Sequence, residues 1–206
     1  PHAAGLFGRH LPYPDHSPFV RREIERHFDN LQSKPLAVSK DTNPTRWDSG
    51  ERGWRQFLHF YSDNNSAMRR SVWEQMPYPE VDYGEDQVWA RDIIEAGYTK
   101  LYAPTAAVYH SHDYSPEETY KRSYVEGGFF YTQFGYELGP DTEEEMEKLI
   151  AAQCEAASEW GHRNQVSEGE IARYRKVLAS KNRGLRDGRL AAMATLVHEP
   201  NSNSET

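Results

Sequence analysis

A single cysteine, Cys154, in a chain of 206 residues excludes an intramolecular disulfide framework and any CxxC zinc site, and it suits a reducing compartment. No apolar run approaches the length of a membrane span, and no signal-peptide pattern opens the chain. Basic charge is also scarce: 24 Lys and Arg stand against 32 Asp and Glu, a net charge of -8. That balance argues against non-specific nucleic-acid binding, which needs a basic face to displace counterions from phosphates, so nucleic acid is not an expected partner. Together these absences point to a cytoplasmic protein. The chain also lacks an initiator Met. It opens PHAAGLFGRH with no preceding strand and reads as a fragment that starts inside a fold.

Aromatic residues are plentiful. Thirteen Tyr, eight Phe and five Trp supply large apolar surfaces although hydrophobic residues make up only 37% of the chain, enough for one domain with an appendage. SPFVRREIERHFDNL predicts an amphipathic helix, with Ser17 as N-cap, Pro18 at the first helical position, and Val20, Ile24, Phe28 and Leu31 on one face. The polar, turn-rich residues 32–53 read as a long mobile loop, and the aromatic run FLHFY, 57–61, as a strand. EDQVWARDIIEAG carries helix start and stop signals, from Glu85 to Gly97. YTKLYA and AAVYH read as two short strands separated by Pro104. Ser115, Pro116 and Glu118 form a capping box that opens a further helix, which Gly127 and Gly128 weaken in its middle.

After Asp141 the character changes. An acidic helix carries Met146, Ile150, Gln153, Ala157 and Trp160 on one stripe. Seven bases follow, Arg173, Arg175, Lys176, Lys181, Arg183, Arg186 and Arg189, against Asp187 alone. Such a segment either meets an anionic membrane surface or packs as a solvated helix on the acidic one. The chain therefore divides into a main domain over 1–138, a helical extension over 139–198 and a disordered tail over 199–206.

Three features carry chemistry. Glu85 and Asp86 stand on the first turn of a predicted helix, where free N–H groups and the macrodipole favour ionised carboxylates. They serve either as plain caps or as a base for a hydroxyl pressed against them. His110 closes a predicted strand and His112 points to the same side, an arrangement that suits a divalent metal or, equally, histidines satisfied by acids such as Asp113. In SDNNSAMRRSVW, Asn64 and Asn65 are turn formers, while Arg69 and Arg70 are either a fork for diphosphate or carboxylate or a solvated pair.

In order, Gly8-Arg9, DNNSAMRRS, GEDQVWARDIIEAGY and VYHSH resemble the acceptor-side half of inverting family 2 glycosyltransferases with a GT-A fold. The likeness runs over about residues 5–135 and looks most like the rhamnosyltransferases of bacterial O-antigen and cell-wall polysaccharide synthesis. It implies an α/β architecture, a partial GT-A fold with a helical C-terminal extension. Asp86 is then the general base for the acceptor hydroxyl, Glu85 orients the acceptor or the base, and His110, with His112 as second candidate, completes a site for Mn²⁺ or Mg²⁺. Arg9, Asn65, Arg69, Arg70 and Trp89 are the implied substrate-binding residues. The donor is a nucleotide sugar, with rhamnose as the implied sugar, and the acceptor is a glycan or a lipid-linked saccharide. The family's metal-binding DxD motif occurs nowhere in this sequence. Two other readings stand beside this one: a non-catalytic glycan- or protein-binding module of the same fold, and a metal-dependent hydrolase built on His110, His112 and Asp113.

Overall fold

In the computed structural model, which describes residues 2–198, the chain divides into two compact units, one ending at His112 and the other beginning at Asp113. The tail expected over 199–206 lies outside the described residues.

The first unit is built on a four-stranded sheet in the order β2 (Ala37–Val38), β4 (Thr99–Tyr109), β1 (Ala3–Leu11) and β3 (Ser66–Met68). The central pair, β1 and β4, is parallel; β2 and β3 pair antiparallel on the two edges. Around the sheet stand α1 (Pro18–Gln32), α2 (Pro44–Asp48), α3 (Arg52–His59), α4 (Arg70–Trp73) and α5 (Glu85–Glu95). Phe7 of β1, Phe28 of α1, Leu58 of α3, Trp89 and Ile93 of α5 and Tyr102 of β4 meet in one core. The mixed α/β class is the expected one, and α1 and α5 form where their capping and periodicity place them.

Three local readings change. The stretch 32–53 is not a loop: it holds β2, a 3-10 turn at Lys40–Thr42 and α2. Side-chain capping organises it, since Ser39 Oγ accepts from the Asp41 N–H and Asn43 Oδ1 from the Arg46 N–H, just ahead of Pro44. FLHFY is mostly helix, the end of α3, because Trp54 and Leu58 lie one turn apart and both enter the core. The two short strands around Pro104 are one strand, β4. Gly8 pairs with Ala103 but Arg9 with Ala107, so residues 104–106 bulge out and Pro104 needs no ladder partner there.

Lys100 of β4 explains how α3 ends. It is 2% exposed, and its ammonium donates to the carbonyl oxygens of Phe57 (2.9 Å), Leu58 (2.6 Å) and Phe60 (2.5 Å). Those carbonyls belong to the unsatisfied end of a helix, where a cation is favoured. Burial pushes the lysine's pKa well below its ordinary value.

The second unit is three helices: α6 (Pro116–Phe134), α7 (Glu143–Arg163) and α8 (Glu168–His198). The capping box at Ser115 and Glu118 is formed in both directions, at 3.2 and 2.9 Å. Gly127 lets α8 approach α6: a Cβ at Gly127 would lie 2.0 Å from the Leu185 carbonyl oxygen, and one at Gly188 1.8 Å from that of Tyr124. Backbone thus meets backbone along this helix pair. α6 is accordingly part of the helical unit, although the sequence places it in the main domain ending at 138.

Four of the seven bases of α8 pair with acids, while Arg175, Lys176 and Lys181 are exposed. Arg183 pairs with Glu147, Arg186 with Glu143 at 2.7 Å, Arg173 with Asp113 at 2.7 Å, and Arg189, only 2% exposed, with Asp141 at 2.6 Å. Through Arg183 and Arg186, α8 packs on the acidic helix α7. No described helix is long and apolar enough to cross a membrane.

Candidate functional site

β1 and β4 are parallel neighbours, so both deliver their last residues to the same edge of the sheet. Ligands of open α/β sheets gather beyond the carboxyl ends of such strands. His10 of β1 pairs with Val108 of β4, and His110 lies two residues beyond Val108 on the same side. The imidazoles of His10 and His110 meet edge to face at 4.8 Å between centroids, and that of His112 meets His110 at 4.9 Å. His10 is buried against Phe28, and its Nε2 lies 3.2 Å from Ser62 Oγ. Burial, with lesser contributions from His110 and His27, lowers its pKa to about 4, so it is neutral at physiological pH.

Ser62 leads into a 3-10 turn, Asp63–Asn65, which places a second acid beside Asp86. The Asp63 N–H donates to Asp86 Oδ2 at 3.3 Å, and the Gln87 N–H donates to Asp86 Oδ1 at 2.7 Å. Asp86 is held at the start of α5 by Gly84, the N-cap, whose φ of +68° is a left-handed conformation that a side chain disfavours. The helix start favours the anion, yet burial and the Asp63 carboxylate outweigh it. They push the Asp86 carboxyl up to about 6, with Glu85 adding a smaller push. The helix terminus therefore does not keep Asp86 at an ordinary carboxylate pKa, although the group is still mostly ionised at neutral pH, as expected.

Asn65 fixes the other side of the turn. Its Nδ2 donates to the Ala106 carbonyl in the β4 bulge at 2.8 Å. That bond passes over Gly8, where a Cβ would lie 2.1 Å from Nδ2. Continuous contacts thus link Asp86 to Asp63, Ser62, His10, His110 and His112. The structure brings together the acid pair, Asn65 and both predicted histidines.

The remaining predicted residues lie elsewhere. Arg9 turns toward α1, donating to Asp29 at 2.7 Å and Gln32 at 3.3 Å. Arg69 donates through Nε to the Ala3 carbonyl at 2.7 Å, at the opposite end of β1 from His10, and Arg70 pairs with Glu74 on its own helix. Trp89 offers no surface to a substrate: it is 0% exposed, packed on Tyr61 and Tyr78, with Nε1–H donating to the Met76 carbonyl at 2.8 Å. The physical reason is its place on the inner face of α5, one turn beyond Glu85. Sequence reasoning missed His10, Ser62 and Asp63. Asp63 alone had a visible signal, as the acid of DNN.

The donor set does not form a closed metal site. Among the described residues no group of three or more His, Cys, Asp or Glu is placed to hold an ion. His110 and His112 offer two nitrogens, and His10 is already engaged with Ser62. Asp113, the third ligand of the hydrolase reading, accepts from Arg173 instead.

With this geometry in view, comparison with known proteins finds two similar chains. One is the O-antigen chain rhamnosyltransferase RfbN of Salmonella typhimurium, 35% identical over 131 residues, which are 63% of this chain and 38% of that protein. The other is the O-antigen chain rhamnosyltransferase WbaN of Salmonella anatum, 33% identical over 128 residues, 61% of this chain and 37% of that protein. Both relatives are glycosyltransferases by name. The match thus spans well under half the length of these relatives. No family model matches the chain, and no solved structure matches it.

Proposed function

We propose that this chain is the acceptor-side part of an inverting glycosyltransferase with a GT-A fold, moving a sugar from a nucleotide donor to a glycan or lipid-linked acceptor at the cytoplasmic side. Rhamnose is the sugar that the named activities of the two relatives support. The observation that carries the reading is the state of Asp86, a partly buried carboxyl at a rigid helix start whose pKa is pushed up to about 6 by burial and Asp63. A base tuned toward neutrality accepts a proton from a hydroxyl better than an ordinary carboxylate does, and remains ionised at pH 7.

The chemistry follows from that role. The acceptor hydroxyl presses against Asp86, its proton passes to the carboxylate, and its oxygen bonds to the anomeric carbon. The bond from that carbon to the nucleoside diphosphate breaks on the opposite face, and the diphosphate leaves with the electron pair. The anomeric configuration inverts. Glu85, on the same helix turn, orients the acceptor. His110 and His112 supply two nitrogen donors, short of a closed site among the described residues, and the steps above are those of the chain's own side chains.

The test is a transfer assay on the full-length protein across a panel of nucleotide sugars, with Asp86→Asn alongside. Transfer that Asp86→Asn reduces by a factor of about 10² or more, with donor binding unchanged, is the expected result. An Asp86→Asn protein that transfers at the original rate overturns the assignment.

A further inference from the structure

The strand edge that carries the histidines carries a second feature on its other side. Neighbouring residues of a strand point to opposite faces, so Tyr109 faces away from Val108 and His110. Its partner in the ladder is Leu11, and two residues further on Tyr13 lays its ring against that of Tyr109. The two rings are nearly parallel, 22° apart with centroids at 5.8 Å. Both are open to solvent, Tyr13 at 42% and Tyr109 at 56%. Exposed aromatic rings gain little from folding, and loop residues are ordinarily free to move.

These rings are nevertheless held in place. The Tyr13 N–H donates to Ser111 Oγ at 3.0 Å, and the same hydroxyl lies 2.8 Å from His16 Nδ1. Ser111 is buried at 7% exposure, so the loop after β1 is fastened to the end of β4 by an inner bond. The His16 ring packs against that of Tyr13, with centroids 5.3 Å apart. The result is a pre-organised aromatic surface, one residue along the chain from His110.

We propose that Tyr13 and Tyr109 form a stacking platform for a pyranose ring of the acceptor glycan, a sugar unit other than the one presented to Asp86. The occupant follows from the chemistry of the surface. One face of a pyranose is a patch of C–H groups whose positive edge meets the negative face of an aromatic ring, while its rim of hydroxyls stays in water. Two solvated tyrosines present such faces and can bond a hydroxyl at their edge through the phenol. The proposal rests on the glycosyltransferase reading only for the identity of the glycan as acceptor.

Saturation-transfer NMR on the full-length protein tests it, with methyl α-L-rhamnoside, methyl α-D-mannoside and methyl β-D-galactoside as probes and thymidine monophosphate as the nucleobase control. Saturation of one face of at least one glycoside is expected. Affinity should fall about tenfold in Tyr13→Ala and Tyr109→Ala and hold in the two Phe variants, with circular dichroism unchanged. Thymidine monophosphate should respond to neither Ala variant. No glycoside contact, glycoside binding that survives in the double Ala variant, or a nucleobase signal that depends on the tyrosines would each overturn the platform. Asp86→Asn separates the two ideas. If transfer survives that change the catalytic reading fails while glycoside binding at the tyrosines stands. If the tyrosine variants bind normally the platform fails while the role of Asp86 stands.

Discussion

Asp63 acts on Asp86 in two opposing ways: its backbone N–H donates to Asp86 Oδ2 at 3.3 Å, while its carboxylate repels the charge that this bond stabilises. The repulsion is the larger effect. Replacing Asp63 with Asn keeps the N–H and removes the charge, so the Asp86 pKa falls. The acid limb of the pH–rate profile, which in the parent rises through about pH 6 as Asp86 ionises, should move to lower pH in Asp63→Asn. An unmoved limb would show that Asp63 has no hold on the base.

Asp86 should cost stability where it is active. Its folded pKa of about 6 stands above the ordinary 3.8, so the folded state favours the protonated form. Stability linked to this group is complete below about pH 4, falls as pH rises toward 6, and stays low above it. Asp86→Asn should therefore raise stability at pH 7.5 by about 1–3 kcal/mol while abolishing transfer, and the gain should vanish near pH 3.5. Urea unfolding at the two pH values measures it.

Lys100→Met keeps the volume and removes the donor from three helix-end carbonyls. Losing those bonds outweighs the relief of a buried charge. A loss of about 2–4 kcal/mol is expected, read as a lower urea midpoint at constant slope.

The helical unit offers a paired test. Gly127→Ala drives a methyl into the Leu185 carbonyl, against backbone that cannot yield, and should cost more than about 3 kcal/mol. At Gly128 the nearest atom to a new Cβ is 3.4 Å away, so Gly128→Ala should be neutral or stabilise by up to about 1 kcal/mol through helix propensity. Thermal melts of the two variants should move in different directions or by clearly different amounts.

What was legible in the sequence was local. α1, α5, α6 and α7 announce themselves through caps and a 3.6-residue period, signals contained within each segment. The sheet was harder to read. β1 carries two glycines and gave no strand signal, and β4 carries a proline that divides it into two; their mutual pairing makes each a continuous strand. In the site, Asp86 and His110 were visible because each sits at the terminus of an element the sequence marks. His10 and Ser62 were not, since their meeting depends on which strands pair and in what register. Asn43-Pro44 lay inside the stretch read as a loop, although an Asn N-cap before Pro is a helix start. Arg9, Arg69 and Trp89 lie away from the acid pair for a related reason: spacing along the chain does not say which end of a strand, or which face of a helix, a side chain occupies.

The bulge at residues 104–106 sets limits on how this protein can vary. The faces that receive Tyr109 and His110 are set by the ladder that resumes at Arg9 and Ala107, not by a count carried through the bulge. A residue gained or lost within the loop would change its length and leave both faces as they are. The fixed element is the Ala106 carbonyl, which accepts from Asn65 Nδ2 at 2.8 Å and ties the loop to the turn beside Asp86. Variation in length should therefore be tolerated on the side of Pro104 rather than beside Ala106.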